Sequence, residues 1–279
     1  MGTKRVRKKI PLTSTTTRIP SGHKATQATI STFHTLIKQQ SRLKRQLSAT
    51  HVDEQRAALI SELEAIDEKI DSLGGLASYQ DASKLGQSAE RGGDSAKVLI
   101  SWLRREGVHH RRLLEIGALT PNNYASCSTW IENVPIDLHS QHPDILEQDF
   151  FARPPPSAPA DHFDVISCSL VLNFVPDPCE RGRMLQLIHQ HLRPQPSSRM
   201  FLVLPLPCVR NSRYLSNELL VDLMRTVGFE LVQERWKEGG KVGYWLWAWR
   251  ESSPHGKLFS KKQVVHEGSK RNNFAIVLP

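Results

Sequence analysis

The stretch that most constrains this chain runs from 111 to 138. Arg112–Ile116 is a short apolar run closing on Glu115-Ile116-Gly117, and a turn-rich segment follows. A second apolar segment ends in Asp137, twenty residues after Gly117. Strand, glycine turn, helix or loop, strand, acid: this order forms the front half of an α/β nucleoside-binding site. A glycine at the strand end has no Cβ to keep a ligand from the backbone. A carboxylate closing the next strand accepts hydrogen bonds from both hydroxyls of a ribose. The same residues also suit a plain tight turn with Asp137 solvated, since Ala118, Leu119 and Thr120 stand where a dinucleotide site carries further glycines.

The rest of the chain favours the first reading. From 111 onward, strands and helices alternate. Candidate strands lie at 112–116, 133–138, 145–150, 163–170, 200–204 and 229–232, with helices at 181–192 and 216–227. The last strand alternates fully, with Trp245, Trp247 and Trp249 on one face and Tyr244, Leu246 and Ala248 on the other. Helices between strands imply parallel pairing through right-handed crossovers. The final two strands, joined through Gly239-Gly240, read as an antiparallel hairpin at the sheet edge. Asp149 closes the third strand, so Gly117, Asp137 and Asp149 fall at the carboxyl ends of successive strands, where open α/β sheets bind ligands.

Charge divides the chain. Residues 1–50 hold eleven Lys and Arg and no acid, which leaves 26 basic against 28 acidic groups in the remainder. The net charge of +9 therefore belongs to an N-terminal arm rather than to a basic globular face. Such an arm suits a polyanion or a nuclear or nucleolar address; a solvated tail without a specific role is the bland alternative. Residues 1–28, opening Lys4-Arg5-Val6-Arg7-Lys8-Lys9, have little apolar surface to bury and read as disordered.

Residues 29–75 read as a helical hairpin. Ile30, Phe33 and Ile37 share a face of the first helix, 30–47. In the second, 53–73, Leu59, Leu63, Ile66, Ile70 and Leu73 form one seam, with Asp53 as N-cap and Gly74-Gly75 as the stop. The hairpin suits either a basic helix on RNA, a protein-partner surface, or a structural packing unit. Residues 76–251 make the main domain with its lead-in, where a helix over 96–105 precedes the first strand and Tyr79, Gln80 or Ser95 are placed to reach the ligand. Residues 252–279 form a basic extension. Its last apolar run reads as an edge strand or as a tail near RNA, and burying five apolar residues favours an ordered end. No apolar run approaches the length that crosses a membrane as a helix. The four cysteines show no metal-ligand spacing, so reduced thiols and no metal site are expected.

The order of elements, ending in the antiparallel hairpin, resembles a class I S-adenosylmethionine-dependent methyltransferase, a Rossmann-like, mostly parallel sheet. More narrowly, Tyr79-Gln80-Asp81-Ala82-Ser83 with Gly86-Gln87, Leu114-Glu115-Ile116-Gly117, Gln148-Asp149-Phe150, Ser169 to Pro176 and Arg271-Asn272-Asn273-Phe274 together resemble the fungal 25S rRNA adenine-N1 methyltransferase family. The resemblance covers roughly residues 74–279. It implies a nucleolar enzyme of ribosome biogenesis that uses S-adenosyl-L-methionine and acts on large-subunit rRNA or the pre-ribosome. The family also includes an animal S-adenosylmethionine sensor, so a SAM-binding protein without methyl transfer is the second reading. By resemblance, Gly117 is the cofactor-loop glycine, Asp137 the ribose acid and Asp149 the contact to the cofactor's adenine amine, with Glu115 orienting the loop.

N1 lies on the pairing edge of adenine, so a target base must be unpaired or flipped into the site. Asn173 suits the exocyclic amine of that base and Phe174 its face. The alternative has Asn173 capping a turn before Pro176 and Phe174 in the core.

Overall fold

Leu113, Leu114 and Ile116 have almost no exposed surface, and this is why Arg111–Ile116 (β1) sits at the centre of the sheet. A parallel strand covered on both faces needs a continuous apolar run. The computed structural model describes residues 23–75, 95–252 and 259–279. In it β1 pairs in parallel with Ile131–Asp137 (β2) on one side and Val165–Ser169 (β4) on the other. Leu146–Glu147 (β3) adds to β2, and Arg199–Pro205 (β5) adds to β4. Phe229–Arg235 (β6) and Val242–Trp249 (β7) complete seven strands in the order β3-β2-β1-β4-β5-β7-β6, with β7 antiparallel to both neighbours.

Four further helices accompany these strands: Ser95–Glu106 (α3), Pro178–His191 (α4), Pro207–Arg210 (α5) and Asn217–Val227 (α6). Two N-caps follow from the sequence. The Asp177 carboxylate accepts from the Cys179 and Glu180 N–H groups to start α4, and Ser216 accepts from Leu219 to start α6. Two cores form, one on each face of the sheet. Met184, Leu185 and Ile188 of α4 and Leu220, Leu223 and Met224 of α6 cover one face. Leu99, Trp102 and Leu103 of α3 cover the other, with Cys127 and Trp130. The alternation in β7 serves both cores: Trp245 and Trp247 enter the first, Tyr244 and Leu246 the second. Each buried indole is worth about 4 kcal/mol at roughly 25 cal/mol per Å². That is why β7 lies inside the sheet and leaves the edge to β6.

Three expectations are corrected. The extension ends in no strand. Phe274–Leu278 is buried as an irregular strap across α4, and the Val277 N–H donates to Pro178 O and the Leu278 N–H to Phe259 O. The third strand is only two residues long, so Asp149 lies beyond it. Asp53 is the first residue of its helix, and Val52 occupies the cap position without a side-chain bond.

The hairpin helices run His23–Ala49 (α1) and Asp53–Ser72 (α2). Their contact is made by Leu36 and Leu43 against Leu63 and Ile66, with Leu47, Leu59 and Ile70 at its margins. Ile37 is only half-buried and Leu73 is exposed, so the α1 seam is turned from the expected face. The basic tail expected over 1–28 lies outside the described residues as far as residue 22, as do Tyr79 and Gln80. None of the described helices is long and apolar enough to cross a membrane.

Candidate active site at the carboxyl ends of the strands

Register brings the predicted residues together. Ile116 stands opposite Ile136 on one side and Cys168 on the other. The next rung therefore sets Gly117 beside Asp137 and Ser169, with strands about 4.8 Å apart. One strand further, Asp137 pairs with Glu147, and Asp149 follows two residues on.

Gly117 has φ +74°, and its N–H donates to Ile136 O at 2.9 Å. A Cβ at this position would overlap the Val171 side chain. Both the left-handed backbone and the close approach require glycine. Glu115 is buried and accepts from Asn123 Nδ2 at 2.6 Å and Asn133 Nδ2 at 3.0 Å. It thus ties the turn after β1 to β2. In place of a helix between β1 and β2, the connection is a set of turns with a short 3₁₀ segment, Ala125–Cys127.

Asp137 ends β2 half-buried and accepts through Oδ1 from the His139 N–H at 2.9 Å. Asp149 is exposed and accepts through Oδ1 from the Phe151 N–H at 2.9 Å, capping the 3₁₀ turn Phe150–Ala152. Both carboxylates are held by backbone N–H groups, Asp137 at the end of β2 and Asp149 at the turn beyond β3, a geometry suited to a nucleoside.

The loop after β4 closes the other side. Leu170 begins it with φ +57°, a conformation costly for a leucine and found where a site imposes it. Ser169 Oγ donates to Ser95 Oγ at 2.9 Å, linking this loop to the start of α3. Asn173 is 6% exposed, and its Oδ1 has no hydrogen-bond partner among the described residues. Leaving such an acceptor unmet costs about 1–3 kcal/mol. A donor from a ligand at the adjoining strand ends would meet it. The turn reading of this loop holds for its backbone, since the Phe174 N–H donates to Val171 O at 2.8 Å. Phe174 itself is half-buried.

Sequence reasoning missed what holds the loop. Arg181, 2% exposed, donates to Val175 O at 2.7 Å, Pro176 O at 3.2 Å and Ala275 O at 2.6 Å, with its guanidinium over Phe274. Burial pushes this guanidinium down to about 10. A Cβ on Gly182 would overlap the Val277 carbonyl, so the strap lies directly on α4. The signal was an arginine on the apolar stripe Arg181, Met184, Leu185, Ile188, where a hydrocarbon side chain is expected. Asp177, which ends the loop, also pairs with Arg45 of α1. Among the described residues no cluster of His, Cys, Asp or Glu is arranged to hold a metal ion.

A sheet of this order, with its one antiparallel strand inserted beside the edge and a glycine turn after β1, defines a class I S-adenosylmethionine-dependent methyltransferase fold. The particular family follows from sequence: residues 64–276 match Bmt2, described as 25S rRNA (adenine(2142)-N(1))-methyltransferase, and the chain belongs to that family. It is 38% identical to the Saccharomyces cerevisiae 25S rRNA (adenine(2142)-N(1))-methyltransferase over 249 residues, covering 88% of this chain and 70% of that one. It is 36% identical to the Schizosaccharomyces pombe 25S rRNA adenine-N(1) methyltransferase, covering 88% of each. Among solved structures, a Burkholderia thailandensis 1,6-didemethyltoxoflavin-N1-methyltransferase overlays with a TM-score of 0.46 at 16% identity, over 64% of this chain and 85% of that one.

Proposed function

We propose that this protein transfers a methyl group from S-adenosyl-L-methionine to N1 of an adenine in 25S rRNA, and that it works on the large-subunit rRNA or pre-ribosome in the nucleolus. The observation that carries the reading is the buried, unpartnered Asn173 Oδ1 in a loop that packs through Val171 on Gly117. Family membership and the acid-free basic N-terminal stretch support it further.

The residues fit the cofactor. Asp137 would hold the ribose hydroxyls and Asp149 the adenine amine, while the bare Gly117 backbone gives the methionine part room. When bound, S-adenosylmethionine supplies an electrophilic methyl group on a sulfonium. Neutral adenine already carries a lone pair on N1, so no strong base is needed to start. The protein's task is to align the base, bring it to attack distance and exclude water. Asn173 Oδ1 accepts from the exocyclic amine of the flipped base, which fixes N1 in the plane of attack. Phe174 stacks on the ring, as single-stranded RNA recognition commonly requires.

Reverse transcription across large-subunit rRNA tests this reading in cells. N1-methyladenine blocks the pairing edge and stops the polymerase. The stop is expected to vanish on deletion of the gene and to return with the wild-type copy but not with Asp137→Ala. A pattern of stops unchanged by the deletion would contradict the function and favour a SAM-binding protein that transfers nothing.

A further inference from the structure

The two hairpin helices carry opposite charge. α1 holds Lys24, Lys38, Arg42, Lys44 and Arg45 and no acid, whereas α2 holds seven Asp and Glu against Arg56 and Lys69. The contact between them is apolar, made by Leu36, Leu43 and Leu47 of α1. At 100° per residue, Lys38, Arg42 and Arg45 fall together on the opposite side of α1, at spacings of four and three.

That side meets the main domain at the edge of the site. Arg45 pairs with Asp177, four residues past Asn173, which places it within about 14 Å of chain from that residue. Lys38 lies close enough to Arg181 to feel its charge, and beside the Cys208 thiol, which burial pushes up to about 11 and keeps neutral. Of the three cations, only Arg45 has a carboxylate partner among the described residues. Lys38 and Arg181 repel as like charges, and the acid near them, Asp177, acts on Arg181 while paired with Arg45. Partial desolvation, and then the Arg181 charge, push the Lys38 ammonium down. Asp177 is the one carboxylate paired with this strip among the described residues, and Lys38 and Arg42 have no ion-pair partner there, so the strip suits an anionic ligand.

Resting on the function proposed above, we infer that the Lys38–Arg42–Arg45 face of α1 binds the phosphate backbone of single-stranded RNA flanking the target adenine. The acidic α2 repels RNA from the far side of the hairpin and so sets the side on which the strand runs. Backbone contacts of this kind position RNA and carry no base information. The strip supplies affinity and register; Asn173 reads the base.

The test uses the full chain and a labelled, adenine-containing single-stranded RNA oligonucleotide. Binding is measured over a salt series for the wild type, for Lys38→Gln/Arg42→Gln, and for Lys69→Gln on α2 as a control. Glutamine keeps helix propensity close to that of lysine and arginine, and Arg45 is left in place because it holds Asp177. Affinity for S-adenosylmethionine, measured by calorimetry, reports that the fold and the cofactor site are intact. The double variant is expected to bind RNA roughly tenfold more weakly at physiological salt. Its log K against log salt slope should be shallower by about 1.4, from two lost single-strand phosphate contacts. Cofactor affinity and the Lys69→Gln control should match the wild type. Equal affinity and slope in wild type and double variant would overturn the inference. A wild-type chain that binds no RNA would overturn the functional reading itself, and this inference with it.

Discussion

At the scale of single residues, cofactor binding and base recognition are separable. Asp137 is half-buried at a strand end, and its carboxylate accepts from the His139 N–H of the following loop; the strand pairing with Glu147 is made by its backbone, so removing the side chain leaves the sheet intact. Asp137→Ala should weaken S-adenosylmethionine binding by 10-fold or more, since each hydrogen bond to a charged group is worth about 1.5–3 kcal/mol; calorimetry measures this directly. Asn173→Ala should behave differently. Its Oδ1 has no partner to lose among the described residues, so thermal unfolding should stay within about 3 °C of the wild type. Cofactor affinity should be unchanged, while kcat falls roughly 100-fold, the usual scale for removing one preorganised polar contact at the reacting centre. A parallel loss of cofactor affinity would place Asn173 in the cofactor site instead. The places of Gly117 and Asp137 at strand ends were legible in the sequence because each closes an apolar run; that of Asp149 was read one strand-length too far, because the polar Glu147-Gln148 before it gave no stop. The unmet acceptor was not legible, because it depends on which groups surround Asn173 in three dimensions.

At the scale of elements, the substrate loop is held from behind by α4 and the C-terminal strap. Arg181 of α4 donates to carbonyls of the loop, Val175 and Pro176, and of the strap, Ala275. Arg181→Met fills the space but strands three acceptors. At about 1–3 kcal/mol for each unmet acceptor, it should lower Tm by roughly 10 °C and raise KM for RNA more than KM for the cofactor. Arg181→Lys keeps the charge but loses the planar fork, and should recover only part of that loss. A variant as stable and active as the wild type would remove the brace from this account. His189 gives the fold a separate pH signature. Its Nε2 lies 2.8 Å from Arg250 O, the bond of a neutral ring donating, and the ring stacks on Trp249 at 5.2 Å. Burial lowers its pKa below the ordinary 6.5. The unfolded chain therefore binds the proton first, and stability present above pH 6.5 is lost as pH falls below it. Melting curves from pH 7.5 to 5 should show this decline, and His189→Gln should flatten the part that His189 contributes. The strands and the alternating β7 were readable because their apolar patterns have a single structural solution. The strap was not: its apolar run suits an edge strand equally well, but β3 and β6 hold the sheet edges and Arg181, Pro178 and Phe259 take its backbone groups.

At the scale of the whole molecule, the chain joins a nearly neutral methyltransferase domain to a hairpin whose basic helix meets the substrate edge. Division of labour follows from the charges. On the reading proposed above, the domain holds the cofactor and the base, and the basic face of α1 adds salt-dependent affinity for RNA. The central claim is that this molecule itself performs the methyl transfer. Purified protein, S-adenosylmethionine and deproteinised 25S rRNA from cells lacking the gene test it most directly, with N1-methyladenine read by mass spectrometry of the digested RNA. The account predicts N1-methyladenine with the wild type, none above background with Asp137→Ala, and a strongly slowed reaction with Asn173→Ala. Normal binding of S-adenosylmethionine, with no N1-methyladenine formed on either free rRNA or isolated pre-ribosomes, would contradict it.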